Sequence, residues 1–249
     1  MTSSIVIPPI DWADLYPQLN TGDLLSFAGH DPLDWAIQFV EQAPYTHVGM
    51  VIRDGTNLWF WDAPGGGETF PDPVSGNPNQ TGARVADLQT VVSYYMTSGG
   101  EIGMWWRQLQ PAVTPAQQTS LMTFVALADG TPFPGTNLGL PAPWNLGVGF
   151  GASWALGTTL HATVAGTFFC AQLAAQSYMA MGLLPLWPRP ANAYDPAIFN
   201  SDDVVTLPLR GVTLTMPQAV NYTPAGASAP VVAPRDASPF AATTPVAAR

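Results

Sequence analysis

The stretch "YTHVGMVIRDGTNLWFWDA", Tyr45 to Ala63, carries a polar, titratable ring at the head of a run that otherwise reads as a buried strand. Val48, Met50, Val51 and Ile52 are apolar and strand-forming, Asp54-Gly55 is a strong turn signal, and Asn57 to Ala63 is a second strand-like run, so the pattern predicts a β-hairpin. A core strand has no use for His47, whereas a strand that ends at an active site does. Asp62 closes the second run fifteen positions later, and the two open ends of a short hairpin meet. Asp62 is therefore placed to accept one ring N–H of His47 and to fix its tautomer.

A base oriented in this way needs a nucleophile. The chain has one cysteine, Cys170, in "TFFCAQLAAQSYMAMG", Thr167 to Gly182. Helical spacing there predicts a helix capped by Thr167 and stopped by Gly182, with Cys170 in its first turn. Free N–H groups and the helix dipole at such a position favour a thiolate, and the same N–H groups can stabilise an oxyanion. The expected catalytic set is Cys170 as nucleophile, His47 as base and Asp62 as orienter. Tyr45, two residues before His47, is a candidate oxyanion donor. A lone cysteine is otherwise a small buried hydrophobe.

"GDLL", "YTHVGMVI", "WDA" and, much later, "FFCAQLAAQSYMAMGLL" resemble the circularly permuted NlpC-like cysteine hydrolases of the papain-like superfamily, relatives of lecithin:retinol acyltransferase. The likeness runs from about Gly22 to Leu184, and "ALADGTPFPGTN" resembles the segment before the cysteine helix. In permuted members the order is His, polar residue, Cys, as here. The resemblance implies an α+β fold with a small antiparallel sheet packed against the cysteine helix, and it implies the roles of Cys170, His47 and Asp62. Where the family commonly reads Cys-Ser-Glu-Leu, this chain reads Cys-Ala-Gln-Leu, which makes Gln172 a candidate substrate contact.

The flanks suggest an N-terminal arm over 1–21, a domain over 22–210 and a Pro/Ala-rich tail over 211–249 that could join a larger protein assembly. Within the domain, loop insertions are expected near 64–82 and 135–166. Strands are expected at Gly22 to Ala28 and Ile102 to Leu109. Helices are expected at Asp31 to Gln42, in "ADLQTVVSYYM", and from Thr114 to Gly130, where Thr114 caps and Pro115 takes the first position. Asp23 reads as a turn or cap residue, His30 as part of a helix start, and His161 as a loop histidine.

Composition excludes several functions. The net charge is −10, and all seven basic residues are arginine, so neither nucleic acid nor an anionic membrane surface is an expected partner. Without lysine there is no Walker phosphate lysine, no Schiff base and no Ser-Lys dyad. One Cys and three scattered His argue against a structural zinc site, and no metal or cofactor is expected. No internal disulfide can form. The uncharged stretch from Gly130 to Pro188 is interrupted by Gly, Pro, Thr, Asn and Gln, so no integral membrane span is expected. "MTSSIVIPPIDWADLY" lacks a basic n-region and a long apolar h-region, so no secretory signal is expected and the location is read as cytoplasmic or virion-associated.

The expected reaction is acyl transfer through a thioester on a peptide, amide or ester substrate. Release by water gives an amidase or peptidase, cell-wall peptide being the family's commonest substrate. Release by an amine or alcohol gives an acyltransferase. The alternative from a different class is a structural virion or envelope component that keeps the fold without turnover.

Overall fold

A computed structural model describes residues 7–30, 43–65, 68–133, 167–187, 189–201 and 207–224. The expected helix at 31–42, the insertion at 135–166, His161 and the tail from 225 onward lie outside the described residues.

The predicted hairpin is the centre of the fold. Strand β3 (His47–Asp54) turns back through Gly55, at φ 56°, into β4 (Asn57–Asp62). The left-handed backbone at Gly55 is what a tight hairpin turn requires, and glycine adopts it without steric cost. Around this hairpin are β1 (Ile10–Asp11), β2 (Leu24–Gly29), β5 (Arg84–Asp87), β6 (Glu101–Arg107) and β9 (Gln218–Asn221). Together they form a seven-stranded sheet in the order β1-β9-β6-β2-β3-β4-β5. Every pairing is antiparallel except β1 with β9. Two further short strands, β7 (Leu109–Gln110) and β8 (Thr213–Leu214), pair beside the sheet. The fold is thus mixed α/β with a mostly antiparallel sheet, and the sheet is larger than the small one expected.

Both faces of the sheet are covered. On one face Leu24, Val48, Met50, Ile52, Trp59, Trp61 and Val85 pack against helices α3 (Pro115–Ala128) and α4 (Cys170–Ala180). On the other, Leu25, Phe27, Val51, Leu58, Phe60 and Ala86 meet α1 (Trp12–Leu15) and α2 (Leu88–Thr97). The strict alternation follows from the two-residue period of a strand. Each fully buried Leu, Ile, Val or Phe contributes about 1.5–3 kcal/mol by transfer from water. Helix α3 has the expected Thr114 cap, closed into a capping box by Gln117.

Three boundaries are corrected. The segment 7–21 is not a separate arm, because Trp12, Leu15 and Leu19 are buried in the second core. Residues 211–221 are not tail, because β8 and β9 lie there and β9 pairs with β6. Both segments are short and flanked by proline or polar residues, so their burial is set by the sheet they join rather than by local pattern. The helix cap is Phe169, not Thr167, and it has no side-chain capping bond. Phe168 and Phe169 are drawn into the core, with Phe168 edge-on to Phe124, and that burial outweighs the roughly 1 kcal/mol a threonine cap supplies. The loop at 64–82 is irregular over its described residues, save for a bridge between Phe70 and Gln80.

Candidate active site

Helix α4 brings Cys170 to the head of β3. Ala171, Ala174 and Ala175 on its buried side are small enough to let the helix lie close on the sheet. Two hydrogen bonds fix its position: Trp61 Nε1 donates to Ser177 Oγ at 3.0 Å, and Tyr178 Oη donates to the Gly22 carbonyl at 2.6 Å. Gly182, at φ 73°, ends it as expected. Cys170 is therefore the first residue of the helix. The Leu173 N–H is bonded to the Phe169 carbonyl at 2.9 Å, and the N–H groups of Cys170, Ala171 and Gln172 precede that first intrahelical bond.

His47 and Asp62 meet as the hairpin geometry requires. His47 Nε2 donates to Asp62 Oδ2 at 3.1 Å, and both residues are buried. Cys170, also buried, is close enough to the His47 side chain to favour its protonated form. With Nε2 occupied by Asp62, the nitrogen left for Cys170 is Nδ1. The imidazole ring is held edge-on between Phe60 and Tyr95.

Asp62 is itself surrounded. Arg84 Nε donates to its Oδ1 at 3.2 Å, and Tyr95 Oη donates to its Oδ2 at 2.7 Å. Asp62 and Arg84 are both fully buried. Arg84 also donates to the Glu68 carbonyl and to Tyr95 Oη, and its guanidinium lies 4.5 Å from the Phe70 ring centre. Burial alone would raise the Asp62 pKa, but the Arg84 charge, then His47, then Tyr95 together hold it below the ordinary carboxylate range. Burial raises the Tyr95 hydroxyl well above the usual tyrosine value, with the Asp62 charge adding to it, so Tyr95 remains a donor. Burial works against a charged His47, yet the hydrogen bond to Asp62 and the neighbouring Cys170 outweigh it and hold its pKa well above the histidine range. The arrangement thus keeps a carboxylate ionised out of water and uses it to make an imidazole strongly basic beside a thiol.

No protein-family model and no curated protein matches the sequence. Among solved structures the chain is similar to the metalloprotein yiiX from Escherichia coli O157:H7, at 16% identity and a TM-score of 0.44, over 68% of this chain and 71% of that one. Among the described residues there is no group of three or more His, Cys, Asp or Glu placed to hold a metal ion, and no helix is long and apolar enough to cross a membrane.

The structure thus brings Cys170, His47 and Asp62 together. The other two candidates lie nearby in the chain. Tyr45 sets its ring edge-on to Trp105, 5.0 Å away, and Gln172 sits half-buried in the first turn of α4. Asp23 is structural: it accepts from the N–H groups of Asn20 and Leu109 and from Trp106 Nε1. Burial lifts its pKa to about 6. His30 contacts the Gly100 carbonyl. Sequence reasoning missed Arg84 and Tyr95. A strand-borne arginine directly opposite an aspartate is visible only once β4 and β5 are in register, which pairs Asp62 with Arg84.

Proposed function

We propose that this chain is a cysteine-dependent hydrolase of the permuted papain-like type, acting on an amide or ester through a thioester. The observation that carries the reading is one imidazole hydrogen-bonded to a buried carboxylate and adjacent to a buried thiol. The chain order of His47, Asp62 and Cys170, with the cysteine helix laid on an antiparallel sheet, supports the permuted arrangement. In the first half-reaction His47 takes the Cys170 proton and Sγ attacks the carbonyl carbon. The developing oxyanion is met by N–H groups at the start of α4. As the tetrahedral adduct collapses, the C–N or C–O bond breaks and His47 gives its proton to the leaving amine or alcohol. Water then attacks the thioester, His47 takes its proton, and the acid departs as the thiol is restored. Asp62 stays ionised throughout and stabilises the imidazolium.

Intact-mass measurement after mixing with an activated aryl ester tests the reading. The expected result is a transient acyl adduct on Cys170 that decays in water and is absent in Cys170→Ala. If no adduct forms on Cys170 under any substrate load, the hydrolase reading fails.

A further inference from the structure

One oxygen of Asp62 serves two donors. Oδ2 accepts from His47 Nε2 at 3.1 Å and from Tyr95 Oη at 2.7 Å, while Arg84 Nε goes to Oδ1. The Tyr95 bond is the shorter and falls at the length of about 2.5–2.7 Å typical of a hydroxyl on a carboxylate. The His47 bond is longer than the roughly 2.7–2.9 Å usual for a charged N–H on a carboxylate. The direction of the hydroxyl is fixed as well. Tyr95 Oη accepts from Arg84 Nη2 at 3.3 Å, and a guanidinium can only donate, so the single hydrogen of the phenol is committed to Asp62.

Arg84 and Tyr95 belong to one continuous unit. β5 runs into α2 at Asp87, whose side chain caps the helix by accepting from the Thr90 N–H. The Tyr95 ring is held edge-on to Phe27 at 5.0 Å and stands edge-on to the imidazole at 5.5 Å. The charged or titratable groups around His47 are Asp62 on β4, Arg84 on β5, Tyr95 on α2 and Cys170 on α4, with Glu68 in the loop before β5 acting on Arg84 and Tyr95. Of these, Tyr95 is the one that shares an oxygen with His47. A donor on a carboxylate oxygen draws off part of the charge that a second donor there would use. The Tyr95 hydroxyl therefore weakens the hold of Asp62 on a proton at His47. The proposed reaction needs that restraint. The same ring must take the thiol proton and later give it to the leaving group, and a base far above the working pH is a poor acid.

We propose that Tyr95 is a positioning residue that divides Asp62 Oδ2 with His47 and so limits how tightly the imidazole holds its proton. Its use in catalysis rests on the hydrolase reading, whereas the division of the carboxylate does not.

An NMR pH titration of the His47 ring tests it, made in Cys170→Ala, where no thiol titrates with the imidazole, and in the same protein carrying Tyr95→Phe. His47 is assigned among the three histidines by the resonance lost in His47→Gln. Tyr95→Phe keeps the ring against Phe27 and the imidazole and removes the hydroxyl alone. The His47 pKa is expected to rise by about one pH unit, the lower end of what a hydrogen bond to a charged group is worth. A titration that does not move overturns the proposal. A fall overturns it too, because the hydroxyl would then support the imidazolium rather than compete with it. Both are read from resonances of folded protein, so lost stability does not imitate the rise. If Tyr95→Phe does not fold, protein made with 3-fluorotyrosine, whose hydroxyl is the stronger donor, is expected to lower the His47 pKa, and no change or a rise overturns the proposal. Iodoacetamide labelling of Cys170 separates the two claims. Labelling that depends on His47, with an unmoved titration, means that only the Tyr95 proposal has failed. Labelling independent of His47 removes the hydrolase reading and leaves the titration to decide the division of Asp62.

Discussion

Replacing Arg84 by methionine removes the counter-charge of Asp62 while keeping an aliphatic stem over Phe70. The Nε–Oδ1 separation of 3.2 Å corresponds to about 5 kcal/mol of attraction at an effective dielectric constant of about 20. Deleting one member of a fully buried pair costs about 3–5 kcal/mol, because the remaining charge has neither water nor partner. The sign of the pH dependence follows from the directions at Asp62. In the native protein its depressed pKa contributes stability that is present above the unfolded carboxylate value of about 3.9 and is lost as pH falls through the lower folded value. Without Arg84, burial is the first and largest influence, and the folded pKa moves upward. The penalty of the variant is then full near pH ~7 and shrinks toward pH ~4, where Asp62 can take up a proton in the folded state. Urea titration of both proteins at those two pH values checks this. A difference under about 1 kcal/mol near neutrality, or one of equal size at both pH values, would refute the reasoning.

Asp62→Asn is expected to lower turnover by a factor on the order of 10⁴, as the amide cannot stabilise the imidazolium, and to destabilise by about 3–5 kcal/mol by leaving Arg84 unpaired; steady-state kinetics on an aryl ester and urea titration read the two effects separately. His47 has a raised folded pKa, so its contribution to stability is present below the unfolded value of about 6.5 and declines as pH rises through the folded one. Wild-type stability should therefore fall on the alkaline side of neutrality, and His47→Ala should lack that component when both are unfolded by urea between pH ~6 and ~9. At Gly49 an added Cβ would stand 2.3 Å from Phe60 Cζ, so Gly49→Ala is expected to cost about 1–3 kcal/mol, and an unchanged denaturation midpoint would contradict the packing described.

Much of the candidate site was legible in the sequence because its geometry is local. A tight turn at Gly55 makes the ends of two adjacent strands neighbours, which is enough to pair His47 with Asp62. The helical spacing of Thr167 to Gly182 puts Cys170 in the first turn of its helix, although the cap lies at Phe169 rather than Thr167. What remained hidden depends on register between distant segments. Arg84 meets Asp62 through β5, and Tyr95 reaches it from α2. The outer strands were unreadable for a related reason. β1 and β9 are two and four residues long, too short for a two-residue period to stand out, and each exists because its neighbour supplies hydrogen bonds. Trp12, Leu15 and Leu19 sit close together in sequence, yet only the far face of the sheet gives them a core to enter.

The central claim is that His47 activates Cys170, and the most direct measurement is the rate of Cys170 alkylation by iodoacetamide near pH ~7 in wild type and in His47→Ala, with folding of each confirmed by urea titration. An activating base is expected to make the wild-type thiol react at least about tenfold faster than the variant's, at the modest end of the 10²–10⁴-fold that positioned proton transfer supplies. Equal rates in two folded proteins would contradict it, and would leave the thiol, imidazole and carboxylate as a structural hydrogen-bond network.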